Sequence, residues 1–431
     1  MIFAYLPEGR DEKKKKPKQP SRPQATILRQ LVELIPAYLV PQLARETGAD
    51  KQARTFTPWS HVVTMLFAQV SHAFGLNDVC DALGLWVTPL RALRGATPPS
   101  RNNLSHANKT RDCALAEKLF WRMLAHLQTL HPGFARGGQH SLAWRFRRAI
   151  HIVDATTIKL VVNCIDWARH RRRKAAAKCH LRLDLGSFLP SFAIVDTAGE
   201  HDSVRAPELC AGLRRGEIAL FDRAYVHFAH LWALTGRGVF WVTRAKENLV
   251  FKVTKRLPKH ADPRILRDDL VVLKHAKTAK DYPQVLRRVT ALVEIDGEER
   301  EMVFLTNNLE WSPATVADLY RCRWQIEVFF KQLKQTVQLV DFLGNTANAV
   351  KWQVWTALLV HLLLRFIAWR NRWAHSFTRL FTFLRAALWL RRDLAELLRR
   401  CGTARGAGGT LAPPRQSELP GFAALFMGQH A

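Results

Sequence analysis

Three acidic residues stand where a carboxylate can do chemistry. Asp154 closes the apolar run IHIVD and Asp222 closes IALFD, and each run reads as a short buried strand. A carboxylate at the end of such a strand is presented at the edge of a sheet, where ligands bind. The same place commonly holds a turn or helix-capping Asp, and for either residue alone the two readings stand level. Glu327 lies in SPATVADLYRCRWQIEVFFKQLKQTVQL, the pattern of one long amphipathic helix with Ser312 as cap and Pro313 in its first turn. At about 100° per residue, Tyr320, Arg323, Glu327, Lys331 and Lys334 fall within an arc of roughly 80°. Leu319, Cys322, Ile326, Phe329 and Leu333 form a separate apolar stripe. A solvated, salt-bridged face would give the same row, because Glu327 and Lys331 at i, i+4 contribute only roughly 0.2–0.5 kcal/mol. A lone acid flanked by bases in a strongly basic chain argues against that reading.

Two strand-end aspartates and a helix glutamate can together hold two divalent ions about 3.5–4 Å apart. Such a pair activates a water or a 3′-hydroxyl and stabilises the leaving oxygen in phosphodiester displacement. Magnesium suits the set, since it takes a few carboxylates, keeps waters and completes its shell from phosphate; manganese is the alternative ion.

The charge balance names the substrate class. Lys and Arg number 65 against 36 Asp and Glu, a net +29. The chain is 48% hydrophobic with 14 Trp and 23 Phe, so it folds, and a folded body this basic expects an anionic partner. Nucleic acid is the usual partner and an acidic membrane surface the weaker one. The seven cysteines are scattered without a CxxC pair, which excludes a disulfide framework and points to a reducing cytoplasm. The N-terminal segment lacks the apolar core of a secretion signal. The apolar run VWTALLVHLLL at 354–364 is short for a bilayer span and reads as a buried helix.

Around the acids the chain divides into segments. Residues 1–26, with KKKK at 13–16, read as a flexible basic arm. Residues 27–145 carry helical periodicity and form a helical N-terminal domain that contributes to DNA binding, or else a packing module. An α/β domain spans 146–345. In it AIHIVDATTIKLVV reads as two short strands around a turn, and a β-rich insertion occupies about 245–300. Residues 346–400 are again helical, and 401–431 form a loose tail. The run RHRRRK at 169–174 places Arg171, Arg172 and Arg173 where they clamp phosphates or lie in a solvated loop, with the clamp favoured. His227 and His230, three apart, read as packing or surface residues rather than a metal site.

IVDATTIKL around Asp154, LFDRAYVHF around Asp222 and YRCRWQIEVFFKQLK around Glu327 together resemble the DDE transposases of bacterial insertion sequences. The last segment reads Tyr320, two residues, Arg323, three residues, Glu327, six residues, Lys334, which resembles the Y-(2)-R-(3)-E-(6)-K signature of the insertion-sequence-four family. WVTRAKEN at 241–248 is similar as well, and the resemblance covers roughly 145–370. It implies a ribonuclease H-like catalytic core with a β-rich insertion between the second Asp and the Glu. It implies Asp154, Asp222 and Glu327 as catalytic metal ligands, and Tyr320, Arg323 and Lys334 as holders of transposon-end DNA. Lys331, Arg223, Arg244 and Lys246 are further candidate phosphate contacts, and Phe251 or Tyr282 stands in for the aromatic that steadies a flipped base. The implied reaction is cut-and-paste transposition by a homodimer acting on double-stranded DNA, both transposon ends and target. A non-catalytic DNA-binding relative and a structure-selective nuclease share the basic surface. Intact acids at all three positions favour the enzyme, and the Tyr-Arg-Glu-Lys row speaks against the nuclease.

Overall fold

The computed structural model describes residues 25–51, 53–135, 146–160, 164, 169–171, 174–197, 202–295, 297–337 and 342–400. Its sheet is organised around β1 (Ile150–Leu160). β1 is one unbroken strand rather than two about a turn. Its β-branched residues Thr156, Thr157 and Ile158 stay extended, and the rungs to β3 (Lys174–Asp184) run without a slip from His151↔Asp184 to Leu160↔Ala175.

Beyond β3 lies β4 (Leu189–Thr197), antiparallel to it; β2 (Arg169–Arg171) pairs with the other end of β3. On the opposite side of β1 come β5 (Ile218–Phe221) and β6 (Phe240–Arg244), both parallel to β1. The order β4-β3-β1-β5-β6, with three antiparallel strands followed by two parallel ones, is a ribonuclease H-like core. The β-rich stretch after residue 245 does not fold apart from this sheet. β7 (Phe251–Arg256), β8 (Ile265–Leu273), β9 (Leu286–Ile295) and β10 (Glu298–Thr306) form an antiparallel series, and β10 pairs with β6 from Phe304↔Arg244 to Thr306↔Val242. A buried pair, Arg287 with Asp268 at 2.6 Å, ties β9 to β8.

The helices are α1 (Ile27–Val32), α2 (Leu39–Thr47), α3 (Pro58–Ser71), α4 (Leu76–Leu85), α5 (Val87–Arg91), α6 (Arg101–Thr110), α7 (Ala114–Leu130), α8 (Pro132–Ala135), α9 (Asp202–Leu209), α10 (Phe228–Gly236), α11 (Ala276–Asp281), α12 (Pro313–Arg321), α13 (Trp324–Lys331), α14 (Ala347–Arg370), α15 (Phe377–Ala387) and α16 (Leu394–Arg400). Alternation along the strands splits the apolar side chains between two faces. Val153, Ala219, Phe221 and Trp241 face one core with Leu209, Leu231 and Leu234 of α9 and α10. Ile152, Leu220 and Val242 face the other, with α12, α13 and α14.

That second core runs on into the N-terminal helices. Trp352 of α14 is 1% exposed, donates from its indole N–H to the Arg111 carbonyl at 2.8 Å, and packs on His61 of α3 at 4.3 Å. Burial pushes the His61 pKa down to about 3, so the ring is neutral, and it meets Asn108 at 2.8 Å. The Ile27 and Leu28 amides donate to the Leu390 and Leu388 carbonyls. By length and apolar character α14 could cross a bilayer, yet 89% of that stretch is buried inside the protein. Its surroundings are other helices and the sheet of this chain.

Trp352→Ala empties this junction and removes one of the two donors to the Arg111 carbonyl, leaving only the Asn348 side-chain amide at 2.7 Å. The expected cost is about 3–5 kcal/mol, read as a shift of one cooperative transition in denaturant. Two separable transitions would contradict the shared core.

Candidate active site

Val153↔Phe221 is the last rung of the parallel ladder between β1 and β5. The next residues on the two strands are Asp154 and Asp222, so the ladder itself sets these carboxylates side by side at its carboxyl end. Crevices at that end of parallel strands are where α/β sheets bind ligands. By alternation both follow Ile152 and Leu220 onto the face covered by α13. The two aspartates reach this place differently. Asp222 ends β5 and caps the short 3-10 turn Arg223–Tyr225, its Oδ2 lying 3.5 Å from the Ala224 N–H. Asp222 thus caps this turn, as one of its two readings has it, and also lines the cleft described below. Asp154, expected to close a strand, sits within β1, which continues past it on β3 alone.

Glu327 comes from α13. The single helix expected across this segment is interrupted: the amides of Cys322, Arg323, Gln325 and Ile326 bond carbonyls three residues back, a tightened turn between α12 and α13. Past the break, Arg323 bridges strand and helix. Its Nη1 donates to Asp154 Oδ2 at 3.0 Å and its Nη2 to Glu327 Oε1 at 2.6 Å. Tyr320, on the near side of the break, is buried against Phe304, with the Arg323 guanidinium 5.7 Å from its ring centre. It braces Arg323 from below.

An open cleft of about 540 Å³ joins these groups, lined by Asp154, Ala155, Thr156, Asp222, Arg223, Arg244, Arg323, Glu327, Phe330, Lys331 and Lys334. All three acids and five of the basic residues singled out from sequence thus meet at one surface. Arg223 there makes an exposed pair with Glu247 at 2.9 Å, a contact of little energetic weight. Lys246 is not among the lining residues; its Nζ donates to the Val226 carbonyl at 3.4 Å and steadies the segment after β5. Arg171 is on β2, while Arg172 and Arg173 lie outside the described residues. Thr156 and Phe330 were not anticipated. Strand alternation from Asp154 would have found Thr156. Tyr282 is buried, meets Trp232 and Trp241 edge-on and hydrogen-bonds Thr235 at 3.0 Å, so it serves the core. Phe251 stays half-buried, with the Arg288 guanidinium 5.6 Å from its ring. His230 is buried against Phe221, and burial lowers its pKa to about 4.

The charges in the cleft are under tension. Burial pushes the Asp154 pKa up to about 7, and Asp222 and Glu327 push the same way; Arg323 and the Ala155 amide, 2.7 Å from Oδ1, oppose them. Burial works against the charge on Arg323 too, yet Tyr320, Asp154 and Glu327 outweigh it and hold the guanidinium firmly protonated. Burial lowers the Lys334 pKa. Among the described residues no three acidic, His or Cys groups close around an ion-sized space as they stand. Arg323 fills the gap between Asp154 and Glu327. The donor set is nonetheless that of a hard divalent cation: three carboxylates on one cleft, one held back from ionising by burial and its neighbours.

A ribonuclease H-like sheet with two adjacent aspartates and a helix glutamate in a basic cleft defines the class of DDE polynucleotidyl transferases. The chain belongs to the transposase DDE domain family, whose model matches residues 145–363. Residues 23–90 match a domain of unknown function. The protein y4zB of Sinorhizobium fredii, named a transposase, is 29% identical over 306 residues, covering 70% of this chain and 81% of its own. A chain of Geobacillus stearothermophilus named for insertion sequence element IS5377 is 27% identical, covering 52% of this chain and 58% of its own. The transposase InsG for insertion sequence element IS4 of Escherichia coli is 24% identical, covering 43% and 42%. A solved piggyBac transposase synaptic complex with hairpin DNA aligns over 88% of this chain and 82% of its own, at 10% identity and a TM-score of 0.44, too loose a likeness to argue from.

The raised Asp154 pKa has a signed consequence in metal-free protein. The carboxyl ionises near its ordinary 3.8 in the unfolded chain and near 7 in the folded one. Between these values the folded state keeps a proton that the unfolded chain has lost. This group's contribution to stability therefore falls as pH rises from about 4 to about 7 and is level on either side. Asp154→Asn removes the slope, so the variant should gain on the wild type across that window in denaturation curves run in EDTA. A difference independent of pH would contradict this placement of Asp154.

Proposed function

We propose that this chain is a cut-and-paste transposase that binds the inverted-repeat ends of an insertion sequence, cleaves them and joins the 3′-hydroxyls to target DNA. Asp154, Asp222 and Glu327 are its catalytic acids. The observation that carries the reading is their meeting in one cleft with Arg244, Arg323, Lys331 and Lys334. A bare binder has no use for three acids inside its basic surface, and neither that alternative nor the nuclease is favoured.

DDE transposases work with divalent metal ions; here Asp154, Asp222 and Glu327 would hold two magnesium or manganese ions, which supply an activated water or 3′-hydroxyl and stabilise the leaving oxygen. The chain's own residues do the remaining work. Lys331 and Lys334, with Arg244 across the cleft, bind the phosphates flanking the scissile bond. Arg323, a planar fork of five donors, holds two acids and can present its remaining N–H groups to a phosphate oxygen. Tyr320 keeps that fork from swinging down. Thr156, on the same strand face as Asp154, can donate its hydroxyl to the DNA backbone. The N-terminal helices bind duplex flanking the site, and a homodimer, one protomer per transposon end, brings two such clefts together on double-stranded DNA. The reaction belongs to the bacterial cytoplasm, at the nucleoid.

Asp154→Asn and Glu327→Gln should lower magnesium-dependent cleavage of duplex copied from the DNA flanking the gene by at least about 100-fold. Dissociation constants for that duplex should stay within about threefold of wild type. Parallel loss of binding would sink the assignment of these acids as metal ligands, and wild-type protein that binds without nicking would favour the binder. Lys331→Ala should instead weaken binding to all sequences alike and reduce the slope of log affinity against log salt by about 1.

A further inference from the structure

The helix that carries Glu327 does not finish as an α-helix. After Lys331 it opens into a π turn, Gln332–Thr336, closed by the Val337 amide on the Gln332 carbonyl at 3.0 Å. Single π turns are rare and recur at functional sites. Gln332, Leu333 and Thr336 of this one are buried, and Lys334 alone of the five lines the cleft. A lysine is a point charge on a flexible stem, so where its ammonium can reach is set by where its backbone is held.

Carbonyls at a helix end need donors from elsewhere. Here they come from the end of α3, more than 260 residues earlier in the chain. Gln69, 5% exposed, donates from Nε2 to the Val337 carbonyl, and His72 Nε2 lies 2.9 Å from the Thr336 carbonyl. The tautomer of His72 follows from its other nitrogen. Arg385 Nη1 approaches Nδ1 at 2.9 Å, and a guanidinium only donates, so Nδ1 accepts and Nε2 carries the proton. His72 caps α3 in the left-handed region, φ 59°, and its ring stacks on Phe381 at 4.8 Å. The turn is pinned from the C-terminal side too: Gln332 Oε1 meets His361 Nε2 at 3.1 Å, and Thr336 Oγ1 meets Thr378 Oγ1 at 3.0 Å.

We propose that Gln69 and His72 are positioning residues for strand cleavage, holding the π turn so that Lys334 faces the scissile phosphate. The proposal rests on the reading of Lys334 as a DNA ligand, and it gives the N-terminal helices a part in the active site beyond gripping duplex.

The test compares Gln69→Leu, His72→Asn, Lys334→Ala and the double variant Gln69→Leu/Lys334→Ala. Asn tolerates the left-handed backbone of position 72 but is too short to reach Thr336. Single-turnover cleavage is measured on duplex copied from the DNA beside the gene, with magnesium. Gln69→Leu and His72→Asn should slow cleavage roughly 10- to 100-fold, as a misplacement on the order of 1 Å does, with duplex affinity within about threefold. The double variant should be no slower than Lys334→Ala alone. Amide hydrogen exchange, which needs no DNA, should speed up at residues 333–337 in Gln69→Leu and stay unchanged in β1 and β5. Unaltered exchange at 333–337 overturns the proposal. So does wild-type cleavage by both single variants, or a loss that adds to that of Lys334→Ala; either leaves the Lys334 reading standing. Wild-type cleavage by Lys334→Ala removes that reading and the proposal with it.

Discussion

One rung of backbone pairing governs the site. Because Val153 and Phe221 are partners in a parallel ladder, the residues that follow them are neighbours in space and point to the same face. Shifting either strand by one residue would turn its carboxylate into the core under α9 and α10. The buried apolar residues on both faces of β1 and β5 fix that register, so the hydrophobic core and the acid pair are specified by the same alternation. The rest of the molecule presses a helix glutamate against this pair and surrounds it with bases.

Charge is arranged around that constraint with little slack. The excess of +29 favours an anionic partner, but it does not place a scissile bond. In the proposed function, placement comes from the few acids that the basic surface tolerates. Arg323 shows how: it reaches from the helix to the strand and neutralises two carboxylates at once. Even with Arg323 beside it, burial, joined by the nearby Asp222 and Glu327 carboxylates, raises the Asp154 pKa to about 7.

Much of this could be read from the residues in order. Asp154, Asp222 and Glu327 stood out by setting, and spacing alone placed Arg323, Lys331 and Lys334 with Glu327. What could not be read depends on partners distant in sequence. β1 continues through Ala155–Thr157 because β3 holds it there, and no local pattern announces that. The β-rich insertion reads the same whether it folds alone or extends the sheet; pairing of β10 with β6 decides. An ideal helical wheel puts Tyr320 on the same outward row as Arg323. In the structure Tyr320 stays beside Arg323, 5.7 Å from its guanidinium, but is buried against Phe304, a contact the helical period does not announce. The carbonyls that Gln69 and His72 satisfy belong to a π turn that an α-helical period cannot represent.

The hydrogen bonds from Ile27 and Leu28 to Leu390 and Leu388 have a practical meaning of their own. Among the described residues they bring the first helix, α1, against the segment that joins the last two, α15 and α16. Within the described residues, a short linker between the first and last of these helices is a route to a circularly permuted body with new ends elsewhere. With the first and last described helical segments meeting so far along the chain from the acids, chain order and site geometry are separable.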